Sequence, residues 1–140
     1  MKMADYKEIP QSVWSQSSLP AAVDKFRAKA LSYKLVKSAG LEFSSIKGAR
    51  PAADRFLFAA TGQVSVEIIG MPVFDLNFSG TGEYKREERR LYLTGLEILN
   101  DATGLANKII EMAGVTIGRS VHVKDEDDAL LLSLFPEPAV

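Results

Sequence analysis

From Phe56 to Ile68 every even position is apolar or small: Phe56, Phe58, Ala60, Gly62, Val64, Val66 and Ile68. No other feature constrains the chain as strongly, because only an extended strand puts alternate residues on one face. Gly70-Met71-Pro72 supplies a short reversal. The alternation then resumes in phase, with Phe74, Leu76, Phe78, Gly80, Gly82 and Tyr84 set against Asp75, Asn77, Ser79, Thr81 and Glu83. A further run reaches Leu99, so Arg55 to Leu99 reads as three consecutive antiparallel strands with one apolar and one wet face.

If the Gly-Met-Pro loop pairs Ile69 with Val73, and the Arg86 to Arg89 loop pairs Lys85 with Arg90, the register of all three strands is set. Gly62 then lies opposite Gly80, and Gly80 opposite Gly95. Glycine inside a strand marks a bend, a bulge or the close approach of another backbone. A row of three predicts a crease where the sheet curls. Strands of about thirteen residues extend roughly 40 Å, well beyond the usual length. The expected fold class is therefore α+β, with a long, strongly curled antiparallel sheet wrapped around an N-terminal helix.

That helix begins at Ser18-Leu19-Pro20, with Ser18 as N-cap and proline in the first turn. Leu19, Ala22, Val23, Phe26, Ala30 and Tyr33 fall on one stripe, and Asp24, Lys25, Arg27, Lys29 and Lys34 lie mostly off it. The stripe is expected to pack on the sheet; the basic flank also suits peripheral contact with an anionic membrane surface. Leu31 and Leu35 fall off the stripe, so the helix is expected to stop near Ala30. Residues 1–17 are polar around a lone Trp14 and read as a flexible N-terminal arm, with Trp14 tucked back onto the domain. Residues 18–140 read as one domain.

Leu41 to Ile46 predicts a short strand, and Gly48 to Asp54, containing Pro51, a loop. After the three long strands, Asn100 or Asp101 caps a second short helix with Leu105, Ile109 and Met112 as its stripe, ended by Gly114. Val115 to Phe135 reads as a C-terminal hairpin around a charged turn, Lys124 to Asp128. Four acids in that turn raise calcium, but the spaced ligands, internal glycine and closing glutamate of a calcium loop are missing. A solvated turn is expected.

Catalytic signatures fail. The chain has no cysteine, which removes disulfides, cysteine nucleophiles and thiolate metal sites. Its one histidine, His122, falls on the polar side of its strand, and no Gly-x-Ser-x-Gly elbow presents a serine. Gly80-Thr81-Gly82 lies inside a strand and opens no helix, so it is no phosphate loop. No enzyme activity, metal or cofactor is expected. A net charge of -1, and the mixture of Glu87 and Glu88 into the Lys85 to Arg90 cluster, speak against a nucleic-acid partner. No apolar run reaches the ~18 residues of a membrane span, and the start shows no hydrophobic signal core. As it stands the chain reads as cytoplasmic.

Glu97 breaks the pattern. In the expected register it lies on the apolar face beside Phe78 and Val64, where a carboxylate needs a partner or takes a raised pKa. It would serve there as the polar handle of a pocket, or as the acid of a small enzyme. A bulge around Gly95 would instead turn it outward.

The order helix, long meander, helix, together with Val64-Ser65-Val66-Glu67, Met71-Pro72-Val73-Phe74-Asp75 and Arg90-Leu91-Tyr92-Leu93-Thr94-Gly95-Leu96-Glu97-Ile98, resembles the small bacterial lipoproteins related to the tubular lipid-binding (TULIP) superfamily. The likeness spans about Leu41 to Met112. It implies a curled sheet around a helix, with lipid or another hydrophobic small molecule held between them. It also implies a periplasmic or membrane-facing setting if the chain is a mature form. The chain departs from that group in having no signal peptide and no lipid-acceptor cysteine. The resemblance and the apolar face together predict non-catalytic binding of a hydrophobic ligand. Phe58, Val64, Val66, Phe74, Phe78, Leu91 and Leu93 would line the groove, small Ala60, Gly62, Gly80, Gly82 and Gly95 leave room at the crease, and Glu97 supply the polar group. The alternative is a protein-interaction or homodimerisation module with a fully packed core, which uses an exposed sheet edge. Gln63-Val64-Ser65-Val66-Glu67 is also reminiscent of the cystatin inhibitory loop. It departs at Glu67, where glycine belongs, and lies inside a strand, so inhibition is rejected.

Overall fold

Residues 5–70, 74–99, 104, 108, 111 and 115–138 are described by a computed structural model. The long alternating segments form the expected meander and more. Strands β1 (Lys7–Glu8), β2 (Val36–Ala52), β3 (Arg55–Ile68), β4 (Phe74–Lys85), β5 (Arg90–Ile98) and β6 (Ser120–His122) make one antiparallel sheet in chain order. Helices α1 (Gln11–Trp14), α2 (Leu19–Leu31) and α3 (Asp125–Leu134) complete the described elements. The fold class is α+β. The sheet is open, with β1 and β6 as its two edges, and is not strongly curled.

The glycine row does not form. Lys85 pairs with Arg90 as expected, but Gly62 pairs with Phe78 and Gly80 with Ala60. The β3–β4 ladder is centred on Gly70, not on Met71. Gly70 has φ 81°, a left-handed conformation that glycine adopts without steric cost, and so it sets the reversal. The difference is two residues, which leaves every side chain on its expected face; a difference of one would have inverted the sheet.

Bulges account for the rest of the departures in the sheet. Strand β2 runs through both the predicted short strand and the predicted loop. Its apolar positions change phase, from Ala39, Leu41 and Phe43 to Ile46 and Gly48, across a register shift between Phe43 and Ser45. Pro51 falls in another shift, between Ala49 and Ala52, where no ladder donor is required. Strand β5 changes phase in the same way. Leu91 and Leu93 face the core side up to the shift opposite Thr81 and Gly82, and Leu96 and Ile98 face it afterwards.

The buried side divides into two clusters along the strands. Phe26 and Ala30 of α2 pack with Val64, Val66, Ile68 and Phe78 at one end. Ile9, Phe56, Tyr84, Val123 and Phe135 pack at the other, with Ile46. Phe43 touches both, standing edge-on to Phe78 at 5.6 Å and to Trp14 at 6.2 Å between ring centroids. Within the segment set apart as an arm, Lys7 and Glu8 pair with Gly48 and Lys47, and Ile9 is buried.

Helix α2 starts and stops where the stripe places it, but Ser18 does not cap it with its own side chain. The Ser17 hydroxyl accepts from Leu19 N–H at 3.1 Å. The Asp127 carboxylate accepts from Ser18 N–H at 3.2 Å and from its hydroxyl. The predicted second helix, 100–114, lies almost wholly outside the described residues.

The predicted C-terminal hairpin is replaced by β6 and α3. Asp125, Glu126, Asp127 and Asp128 occupy the first turn of α3, where acids meet the positive end of the helix dipole, and Ala129 to Leu132 are strong helix formers. Asp128, Leu131, Leu132 and Phe135 then fall on one inward face at helical spacing. Asp128 is therefore not in a solvated turn; it is 3% exposed. The Tyr84 hydroxyl donates to it at 2.5 Å, Arg86 Nε at 3.1 Å, and Arg89 pairs with its other oxygen. Lys7 and Arg50 donate to the carbonyls of Leu134 and Phe135 at 3.2 and 2.8 Å, so α3 is clamped at both ends.

Burial pushes the Asp128 carboxyl up, but the hydrogen bonds from Tyr84, Arg89 and Arg86 outweigh it and hold the pKa below its ordinary value. A depressed folded-state pKa contributes stability that is complete above the unfolded value and is lost as pH falls through the folded one. Asp128→Asn should cost about 2 kcal/mol near neutral pH, moderated by the partial exposure of both arginines. Urea unfolding at a series of pH values should show the gap between variant and wild type closing in acid. Gly62 gives a second test. A Cβ there would stand 2.1 Å from the Glu42 carbonyl and 2.6 Å from the Phe78 ring, whereas at Gly80 the nearest atom is 3.6 Å away. Gly62→Ala should destabilise by about 3 kcal/mol, while Gly80→Ala should change the urea midpoint little or raise it.

Candidate functional site

The apolar face of β3, β4 and β5 carries eight of the ten residues expected to hold a ligand, and the structure sorts them into two groups. Val64, Val66 and Phe78 are 3%, 1% and 6% exposed and form the packed cluster beneath Phe26 and Ala30. Gly62 is buried with them: the Phe78 ring covers it from the neighbouring strand, and the β2 backbone crosses close beside it. These four are structural core. Phe58, Gly80, Leu91 and Leu93 are only partly buried. Phe74 is the first residue of β4 and pairs with Val66.

Glu97 is the tenth, and its expected place is corrected. The shift at Gly95 moves it opposite Ser79 on the polar face, where it is exposed. Leu96 and Ile98 take its place on the apolar face, opposite Gly80 and Phe78, and pack against the α2 cluster. Gly95 itself belongs with the polar side, since a Cβ there would meet the Thr81 hydroxyl at 2.6 Å. The face is thereby purely apolar where the sequence placed a carboxylate.

Between the two clusters, on the β4–β5 side, the apolar face is only partly buried. The floor of this stretch is the pair Ala60 and Gly80, followed by Gly82 opposite Phe58. Leu96 stands across from Gly80 and Leu93 across from Gly82. Leu93 is partly exposed and belongs to neither buried cluster. A Cβ on Gly80 would find only ordinary contact, with the Gly95 carbonyl at 3.6 Å and Leu96 at 3.9 Å. At Gly82 a Cβ would crowd the Tyr92 carbonyl at 3.3 Å and Leu91 at 3.4 Å, so of the two glycines only Gly80 has room for a side chain. Such a surface offers area and dispersion contact and no directional polar group, so it suits an apolar chain and not a hydrogen-bonded substrate.

Polar chemistry gathers elsewhere. The Tyr84–Asp128–Arg86–Arg89 group borders the far cluster and was not foreseen, because its members come together only through α3. Burial and the hydrogen bond to Asp128 raise the Tyr84 hydroxyl above its ordinary pKa, leaving it a donor at neutral pH. Each partner is satisfied, so the group reads as a clamp. Among the described residues no set of three or more histidine, cysteine, aspartate or glutamate side chains gathers as for a metal ion. His122 is exposed on edge strand β6. No described helix is long and apolar enough to cross a membrane.

Comparison with known proteins leaves this geometry to speak for itself: no protein-family profile, no curated protein and no solved structure matches the chain.

Proposed function

We propose that the chain binds a lipid or other hydrophobic small molecule without catalysis, on the apolar sheet face between its two packed clusters. The observation that carries this is the partly exposed Ala60–Gly80–Gly82 floor, bordered by Phe58 and Leu91 of the α3 cluster, Leu96 of the α2 cluster, and Leu93. A row of small residues inside an otherwise packed apolar face suits an acyl chain or a similar slender ligand. Loss of Glu97 from that face strengthens the reading, because the ligand then meets no buried charge. The resemblance to the TULIP-related lipoproteins points in the same direction and would place the chain near a membrane.

A second reading, a protein-interaction or homodimerisation module, draws on one feature. Strand β1 covers β2 only at Lys47 and Gly48, and Ile9 N–H reaches Ile46, while β2 extends back to Val36. An edge of that length can accept a strand from a partner.

Native mass spectrometry of the freshly purified protein, with solvent extraction and lipid analysis, distinguishes the two. Ligand binding predicts additional mass that extracts as lipid, together with displacement of an environment-sensitive fatty dye by lipid. Gly80→Trp should keep the fold and weaken dye binding by roughly tenfold or more, since it fills the floor with an indole. Wild-type protein that carries no lipid and takes up no dye would sink this reading. A mass that doubles with concentration, and reverts when a charge is placed at the exposed Ser44 of β2, is the result expected of edge pairing.

A further inference from the structure

Three large aliphatic side chains stand in solvent at the end of the sheet where α2 gives way to β2. Leu31, Leu35 and Ile69 are 42%, 65% and 61% exposed. Ile69 N–H donates to the Leu35 carbonyl at 2.9 Å, so the two most exposed of them are neighbours, and Leu31 closes α2 just before. A depression of about 390 Å³ lined by Lys37, Glu67, Ile68, Ile69 and Gly70 lies beside them. None of these three belongs to either buried cluster, so packing among the described residues does not explain them.

The surrounding charge is one-sided. From Lys25 to Lys37 the chain carries Lys25, Arg27, Lys29, Lys34 and Lys37 and no acid, although its net charge is -1. All five are exposed. Phe26 and Ala30 turn inward, which leaves cations on both flanks of α2 and along the segment that joins it to β2. Asp24 stands just before this run. Glu67, across from it, is held by Lys37 at 3.4 Å and by the Ser38 hydroxyl at 3.3 Å.

We infer that this end of the molecule docks on an anionic lipid bilayer. Leu31, Leu35 and Ile69 enter the headgroup region, and the lysines and Arg27 meet lipid phosphates. Aliphatic groups ringed by cations match such an interface, where apolar burial and attraction to anionic lipid act together. A nucleic acid would use the cations alone, because three aliphatic side chains offer no stacking surface to bases. The inference goes beyond ligand binding and does not require it.

The test is co-sedimentation of the full chain with vesicles of phosphatidylcholine alone, and with an equal mixture of phosphatidylcholine and phosphatidylglycerol. Binding to the anionic mixture, little to the neutral vesicles, and weakening by added salt are expected. Lys29→Glu with Lys34→Glu should lower partitioning by roughly tenfold or more. Leu35→Ser with Ile69→Ser should also lower it, with thermal stability unchanged because both side chains are exposed. Lys47→Glu, on the polar face, should bind as wild type. Equal binding to both vesicle types, undiminished binding by both double variants, or an equal loss in Lys47→Glu would overturn the inference. So would tighter binding to duplex DNA that ignores the Leu35 and Ile69 changes. Vesicle binding by a protein that takes up no fatty dye upholds the docking surface and removes the ligand reading; dye uptake without vesicle binding does the reverse.

Discussion

The sheet depends on the close approach at Gly62. There the β2 backbone, displaced by its bulge, passes within van der Waals reach of β3 on one side, and the Phe78 ring settles over the same position from β4. Any side chain would separate three strands at once. Phe43, which follows Glu42 into the bulge, then reaches both the α2 cluster and the α3 cluster. One missing Cβ thus connects the two halves of the core, and it does so by steric permission and not by attraction. Close packing of this kind leaves no slack for relaxation.

Much of the sheet was legible in the chain, and the physical reason is the robustness of period two. Strands β3 and β4 hold one phase throughout, so their faces could be assigned even though the pairing was two residues away from the expected one. Strands β2 and β5 change phase at bulges, and a bulge has no strong sequence signature. Leu41 to Ile46 therefore read as a fragment of what is a seventeen-residue strand, and Glu97 read as facing inward when it faces out. The C-terminal helix escaped for a different reason. Its acids and leucines fit either a charged turn with an apolar strand or a helix start with an inward face, and only the docking of Asp128 on Tyr84, Arg86 and Arg89 decides between them. Of the candidate site, the apolar face was legible; its division into packed core and a partly exposed stretch was not, because that depends on which stretches the helices cover.

The two ends of the molecule are built on different principles. At the α2 end, aliphatic and aromatic groups pack beneath one helix and the cations stay outside. At the α3 end, an acid is buried and then fully satisfied, and hydrogen bonds from Lys7 and Arg50 hold the last turn. Burying Asp128 costs desolvation, and its three donors offset that cost, so the arrangement secures the geometry of α3 more than it adds net stability. This separation leaves the middle of the face, with Gly80 and Gly82, as the stretch that neither end claims.

The long sequence span of the α3 contacts has a consequence for the order in which the molecule can be completed. The buried members of the α2 cluster lie between Phe26 and Phe78, whereas the far cluster needs Ile9 and Phe135 together, almost the whole chain apart. During synthesis the buried members of the first cluster are all available before α3 is made. Those of the second, with Tyr84 waiting for Asp128, are not. Until α3 arrives, Phe56 lacks the ring of Phe135 that packs edge-on against it at 6.0 Å. The α2 cluster thus has its buried members in place early in the chain, and the α3 cluster depends on contacts of far greater sequence separation, the kind that form slowly.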